Sequence, residues 1–104
     1  MARRSQFTVN AEAIQGNIGA EVTFRALKVG EAREYRETSM TDQGLLEKHI
    51  LSWSGFVDDK GNELPCPTDD LSIWDELYVH ERIALVHLLY QGPDGDSAKN
   101  SPPP

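Results

Sequence analysis

Cysteine is almost absent from the 104-residue chain. Cys66 stands alone, so no internal disulfide can form, and with three scattered histidines it cannot complete a four-ligand zinc site of recognised spacing. Such cysteine usage fits a reducing cytoplasm. Long apolar runs are missing too. The longest, Ile83 to Val86, is four residues, against the ~20 that cross a bilayer. Met1-Ala2-Arg3-Arg4 leads into polar residues rather than an apolar h-region, so neither a membrane span nor a secretory signal is expected. Cations are scarce, with 10 Lys and Arg against 17 Asp and Glu and a net charge of −7. A chain without a basic surface has little to hold phosphate backbones, and nucleic-acid binding is not expected. No P-loop, GxSxG, HExxH or dinucleotide fingerprint occurs. Cys66 could in principle pair with His80 or His87, but its acidic surroundings disfavour the thiolate that a nucleophile needs. The two histidines share roughly one helix face, without a third ligand or a nearby base. The expectation is a non-enzymatic protein with no catalytic residue, no cofactor and no metal site.

What is present is one domain's worth of core. With 38% hydrophobic and 26% charged residues, a chain of this length hides roughly two-thirds of its unfolded surface, which leaves a margin of several kcal/mol. The negative charge is concentrated. Asp58, Asp59, Glu63, Asp69, Asp70, Asp75, Glu76 and Glu81 face Lys60 alone, while acids and bases balance elsewhere. This stretch reads as a solvated loop with two helix starts, where carboxylates favour the dipole, or as an acidic patch turned toward a partner. As a calcium loop Asp58-Asp59-Lys60-Gly61-Asn62-Glu63 fails, because Lys60 occupies a ligand position and Glu63 the place that requires glycine.

The pattern along the chain predicts an α+β fold, mainly helical, with a short strand or hairpin near the N-terminus and disordered termini. Residues 1–5 are read as a flexible start, 6–91 as a single globular domain and 92–104 as a disordered, proline-rich tail. Gln6 to Val9 fits a short strand, and Gly16 to Gly19 a turn. Glu21 to Leu27 alternates, with Val22, Phe24 and Ala26 on one face, as a half-buried strand does. Glu31 to Glu37 favours a short helix, with a charged edge strand as the alternative. Ser39-Met40-Thr41-Asp42 has the form of a capping box, with Ser39 as N-cap of a helix reaching Ser52 and burying Leu46, Ile50 and Trp53. Gly55 to Pro67 reads as a loop or small hairpin around Gly61. Thr68 then serves as N-cap for a helix carrying Leu71, Trp74 and Leu77 or Tyr78. The last helix, Val79 to Gln91, is apolar around most of its circumference, with a narrow polar stripe of His80, His87 and Gln91. It is either a central core helix or one that also faces a second copy or a partner. Trp53 and Trp74 read as core anchors or as an aromatic interaction surface.

The segment Trp53-Ser54-Gly55-Phe56-Val57-Asp58-Asp59-Lys60-Gly61-Asn62-Glu63-Leu64-Pro65-Cys66-Pro67-Thr68-Asp69-Asp70-Leu71 resembles a pattern in the small tail assembly chaperones of long-tailed bacteriophages. In that family a helix ends in Trp-x-Gly-Val, an acidic glycine turn leads to a proline segment, and a Thr or Ser cap opens the next helix. Val22 to Leu27 followed by Gly30-Glu31 is similar as well, so the likeness spans roughly residues 20 to 90. Cys66 departs from it, standing where a larger apolar residue is usual.

The resemblance implies a chaperone of the host cytoplasm, absent from the mature virion, that binds the aggregation-prone tape measure protein and keeps it soluble during tail assembly. The candidate partner-binding residues are Trp53, Phe56, Trp74, Leu85, Leu88, Leu89 and Tyr90, with self-association as a further use of the last helix. It also implies a longer form made by programmed frameshift, whose added domain would reach the tail tube protein. Codons for Ala98-Lys99-Asn100 can supply the slippery run A AAA AAC, and Pro102-Pro103-Pro104 a run of cytosines. The alternative function is an acidic, nucleic-acid-mimicking inhibitor that occupies a basic site on another protein. The two differ in where the interaction energy lies, in apolar helix for the chaperone and in carboxylates for the mimic.

Overall fold

In a computed structural model that describes residues 5–16, 18–68 and 70–93, the chain is α+β. A three-stranded antiparallel sheet is built from β1 (Gln6–Asn10), β2 (Glu21–Arg25) and β3 (Ile50–Ser54), with β2 in the centre. The helices are α1 (Glu12–Gln15), α2 (Val29–Glu37), α3 (Asp42–His49) and α4 (Val79–Gln91), and Leu71–Glu76 forms a 3-10 turn before α4.

The alternation in β2 does what period two requires. Val22 and Phe24 point into the core and pair with Val9 and Phe7 of β1, whose own alternation buries the same face. On the outer face Thr8 and Thr23 meet through their hydroxyls at 2.7 Å. The hairpin expected between Gly55 and Pro67 forms through a bridge between Val57 and Glu63. Its turn is held by Asp58, whose Oδ1 accepts the backbone N–H groups of Lys60 and Asn62, while Gly61 takes the left-handed conformation at φ +83°.

Three expectations are corrected. The helix predicted from Ser39 to Ser52 ends at His49, and Ile50 to Ser54 becomes β3, with Trp53 opposite Val22. The apolar spacing of Leu46, Ile50 and Trp53 suits a helix, but β2 has a second edge to satisfy, and an extended Ile50 opposite Phe24 provides its partner. The sheet therefore has three strands, the third added to the strand or hairpin expected near the N-terminus. Ser39 is not an N-cap. It closes α2 in a Schellman motif at φ +55°, with Met40 N–H donating to Tyr35 C=O and Ser39 N–H to Arg36 C=O. A left-handed residue cannot cap the following helix, and Thr41 does so, its Oγ1 accepting from Gly44 N–H at 3.0 Å. Likewise Asp70, not Thr68, caps the segment after the hairpin, through Ser72 N–H, and that segment winds as a 3-10 turn instead of an α-helix.

His49 ends α3 fully buried. Its Nδ1 donates to the Arg25 carbonyl at 2.8 Å, and its Nε2 accepts from the Tyr35 hydroxyl at 2.9 Å, so one imidazole ties α3 to β2 and α2. Beside it Arg25 pairs with Glu31 at 3.0 Å. Burial, above all, holds His49 below the ordinary imidazole pKa, and the neighbouring guanidinium adds to the effect. The unfolded chain therefore takes up a proton below about pH 6.5 that the folded chain refuses. The contribution of neutral His49 is fully present above that pH and declines as pH falls toward the folded-state pKa. Urea titrations between pH 7.5 and 5 are expected to show this loss, and a His49→Gln variant, though weaker overall, to show a shallower slope. Equal slopes would place the sensitivity elsewhere.

Candidate functional surface

The core side of α4 is made by Leu85 and Leu89, which are 0% and 2% exposed, and the helix packs on α3 and α1. Its first turn is fixed by Glu81. That carboxylate accepts Tyr78 N–H at 2.8 Å and the side-chain amide of Gln15, whose own carbonyl oxygen accepts Val57 N–H at 2.7 Å. One buried acid thus locks α4, α1 and the hairpin together.

With that face turned inward, helical spacing brings Val79, Ile83 and Tyr90 out in one line, with Val86 half-buried at its edge. Val79, Ile83 and Tyr90 are 64%, 44% and 57% exposed. The stripe runs the length of α4, about 20 Å at 1.5 Å per residue. Beside it His80 and His87 form a polar lane, and beyond them Ala84 and Leu88 meet Ala13 and Ile14 of α1 in a shallow, mainly apolar groove. A second groove opens where Tyr90 and Leu89 approach α2.

The aromatic residues singled out from the sequence are brought together, but inside. Trp53 stacks on Phe56 with ring centroids 4.2 Å apart and meets Trp74 edge-on at 6.4 Å, while its indole N–H donates to Leu64 C=O at 2.9 Å. Phe56 and Trp74 are buried and Trp53 is half-buried. Of the seven candidate partner-binding residues, Phe56, Trp74, Leu85 and Leu89 are interior. Tyr90 is exposed, and Leu88 and Trp53 are partly so. Val79, Ile83, Ala13 and Ile14 add apolar surface on α4 and α1 that the sequence reading does not single out. The only sequence signal for the first two was the wide apolar arc of α4, which does not say which side the sheet will cover.

Four of the eight acids in the acidic stretch are engaged within the fold. Asp58 holds the hairpin turn, Asp70 caps the 3-10 turn, Glu81 starts α4, and Asp59 accepts from the Tyr78 hydroxyl. Hydrogen bonding, chiefly from Asn62 N–H at Asp58 and the Ser72 hydroxyl at Asp70, holds both carboxyls below the usual range. Among the described residues no cluster of three His, Cys, Asp or Glu could hold a metal, and no helix is long and apolar enough to cross a membrane. Comparison with protein-family models, with curated proteins and with solved structures returns no match.

Proposed function

We propose that the chain is a non-enzymatic tail assembly chaperone of a long-tailed bacteriophage, acting in the host cytoplasm and absent from the mature virion. Its client is the tape measure protein, a long helical chain that must stay soluble while the tail tube forms around it. The observation that carries this reading is the apolar stripe of exposed Val79, Ile83 and Tyr90 on the outside of α4, flanked by half-buried Val86. Such a stripe suits an amphipathic helix laid alongside it, read through residues at i, i+3, i+4 and i+7. The net charge of −7 keeps loaded and unloaded copies apart. A frameshifted longer form contacting the tail tube protein belongs to the same proposal, and the residues that would encode the slip, Ala98 to Asn100 and the terminal prolines, lie outside the described residues.

The engagement of Asp58, Asp59, Asp70 and Glu81 within the fold favours this reading over the acidic mimic, because among the described acids of the stretch it leaves only Glu63, Asp75 and Glu76 unengaged to face a basic site. Salt separates the two. At 1 M the screening length falls to ~3 Å, so an apolar complex of the tagged chain with co-expressed tape measure protein is expected to remain on the affinity resin. A carboxylate-driven complex would wash away. Complete release by salt would overturn the chaperone reading in favour of the mimic.

A further inference from the structure

The groove between α2 and α4 differs in kind from the rest of this acidic chain. Its floor is apolar, made by Leu27, Ala32 and Leu89, with Val29 and Tyr90 at its mouth. Its rim carries Lys28, Arg33 and Arg36, all exposed. On α2 these arginines share a face with Val29 and Ala32, at spacings of three, four and seven, whereas Glu34 lies on the far side, Glu31 is turned to Arg25, and Glu37, four residues after Arg33, does not line the groove. Among the described residues the Arg25–Glu31 pair is the one salt bridge, so Lys28, Arg33 and Arg36 have no carboxylate partner there.

We propose that this groove binds an acidic amphipathic helix, with apolar side chains on Leu27, Ala32 and Leu89 and carboxylates at Lys28, Arg33 and Arg36. Charge complementarity selects the occupant. Three cations around an apolar floor leave a lysine-rich helix repelled and a purely anionic polymer with nothing to bury. A second copy of the chain is a poorer fit, since its exposed α4 stripe bears no carboxylate and its acidic segment Leu71–Glu76 is a 3-10 turn rather than an amphipathic helix. The apolar floor supplies most of the affinity, and the cations supply orientation and choice of partner. The inference rests on the rim and floor of this groove and not on the identity of the client.

The test uses the full-length chain and two fluorescein-labelled 18-residue helical peptides, one of Leu and Glu and one of Leu and Lys with the same leucine positions. Fluorescence anisotropy at low salt is expected to show the Glu peptide binding at least about tenfold more tightly. An Arg33→Glu, Arg36→Glu variant, with unchanged circular dichroism, should remove or reverse that preference, and 1 M salt should shrink it to about twofold. Equal binding of both peptides, preference for the Lys peptide, preference that survives in the variant, or an oligo(dT) that displaces the Glu peptide would each overturn the assignment. No tape measure protein enters this experiment, so its outcome is independent of the salt test of the chaperone.

Discussion

Gly55→Ala is expected to destabilise the fold by about 3 kcal/mol, which for a domain of this size lowers the melting temperature by roughly 15 °C. Gly55 follows β3 at φ +79°, where an L side chain is strained. An added Cβ would also lie 2.7 Å from the Ala20 Cα and 3.0 Å from its nitrogen. Backbone cannot rotate away as a side-chain tip can. Ala20 is pinned as well, since its carbonyl accepts Ala11 N–H at 2.8 Å next to the strand that pairs with β3. Gly61 supplies the control, because it has nearly the same dihedral, φ +83°, and nothing within 4 Å of an added Cβ. Gly61→Ala should cost about 1 kcal/mol, the conformational part alone. Thermal melts that show the two variants equally stable would mean that the approach of β3 to Ala20 is not tight.

This contact also shows where sequence reasoning stopped. Gly55 was legible as a loop residue after an aromatic segment, but nothing local says that the chain returns beside Ala20. The same limit explains β3. Leu46, Ile50 and Trp53 recur at helical spacing, and only the demand of β2 for a partner on its second edge turns the last two into a strand. Ser39 fails for a related reason. Ser-x-x-Asp is a capping pattern wherever it occurs, yet the residue was already in use closing α2. Where local chemistry decides, the reading and the structure agree. The alternation of Val22 and Phe24, the Asp58 to Gly61 turn, and α4 from Val79 to Gln91 are all specified by neighbours within a few residues.

The surface was less legible than the fold. Leu85 and Ile83 are equally apolar and two residues apart, and the first is core while the second is 44% exposed. Hydrophobicity marks both as wanting cover, and only the packing of α4 on α3 and α1 decides which receives it. Trp53 and Trp74 read as core anchors or as an interaction surface, and with Phe56 they pack in the small core beside the sheet. The basic rim of α2 was hidden by the chain's acidic balance, since charge totals carry no information about which helix face the cations share.

The most direct test is a double substitution on the outer stripe, Ile83→Glu with Tyr90→Glu. Burying what remains exposed of the two side chains against a client is worth about 1–2 kcal/mol each, and a carboxylate placed there adds a desolvation cost of a further few kcal/mol. Binding should therefore weaken by at least about a hundredfold. Leu85 and Leu89 continue to hold α4 in place, so circular dichroism and the melting temperature should stay close to those of the parent chain. Co-expression with the tape measure protein, followed by affinity purification and measurement of the soluble fraction, is expected to show the client recovered with the parent chain and lost to the pellet with the variant. Full recovery of soluble client by a folded Ile83→Glu, Tyr90→Glu variant would contradict the claim that the α4 stripe is the client-binding surface.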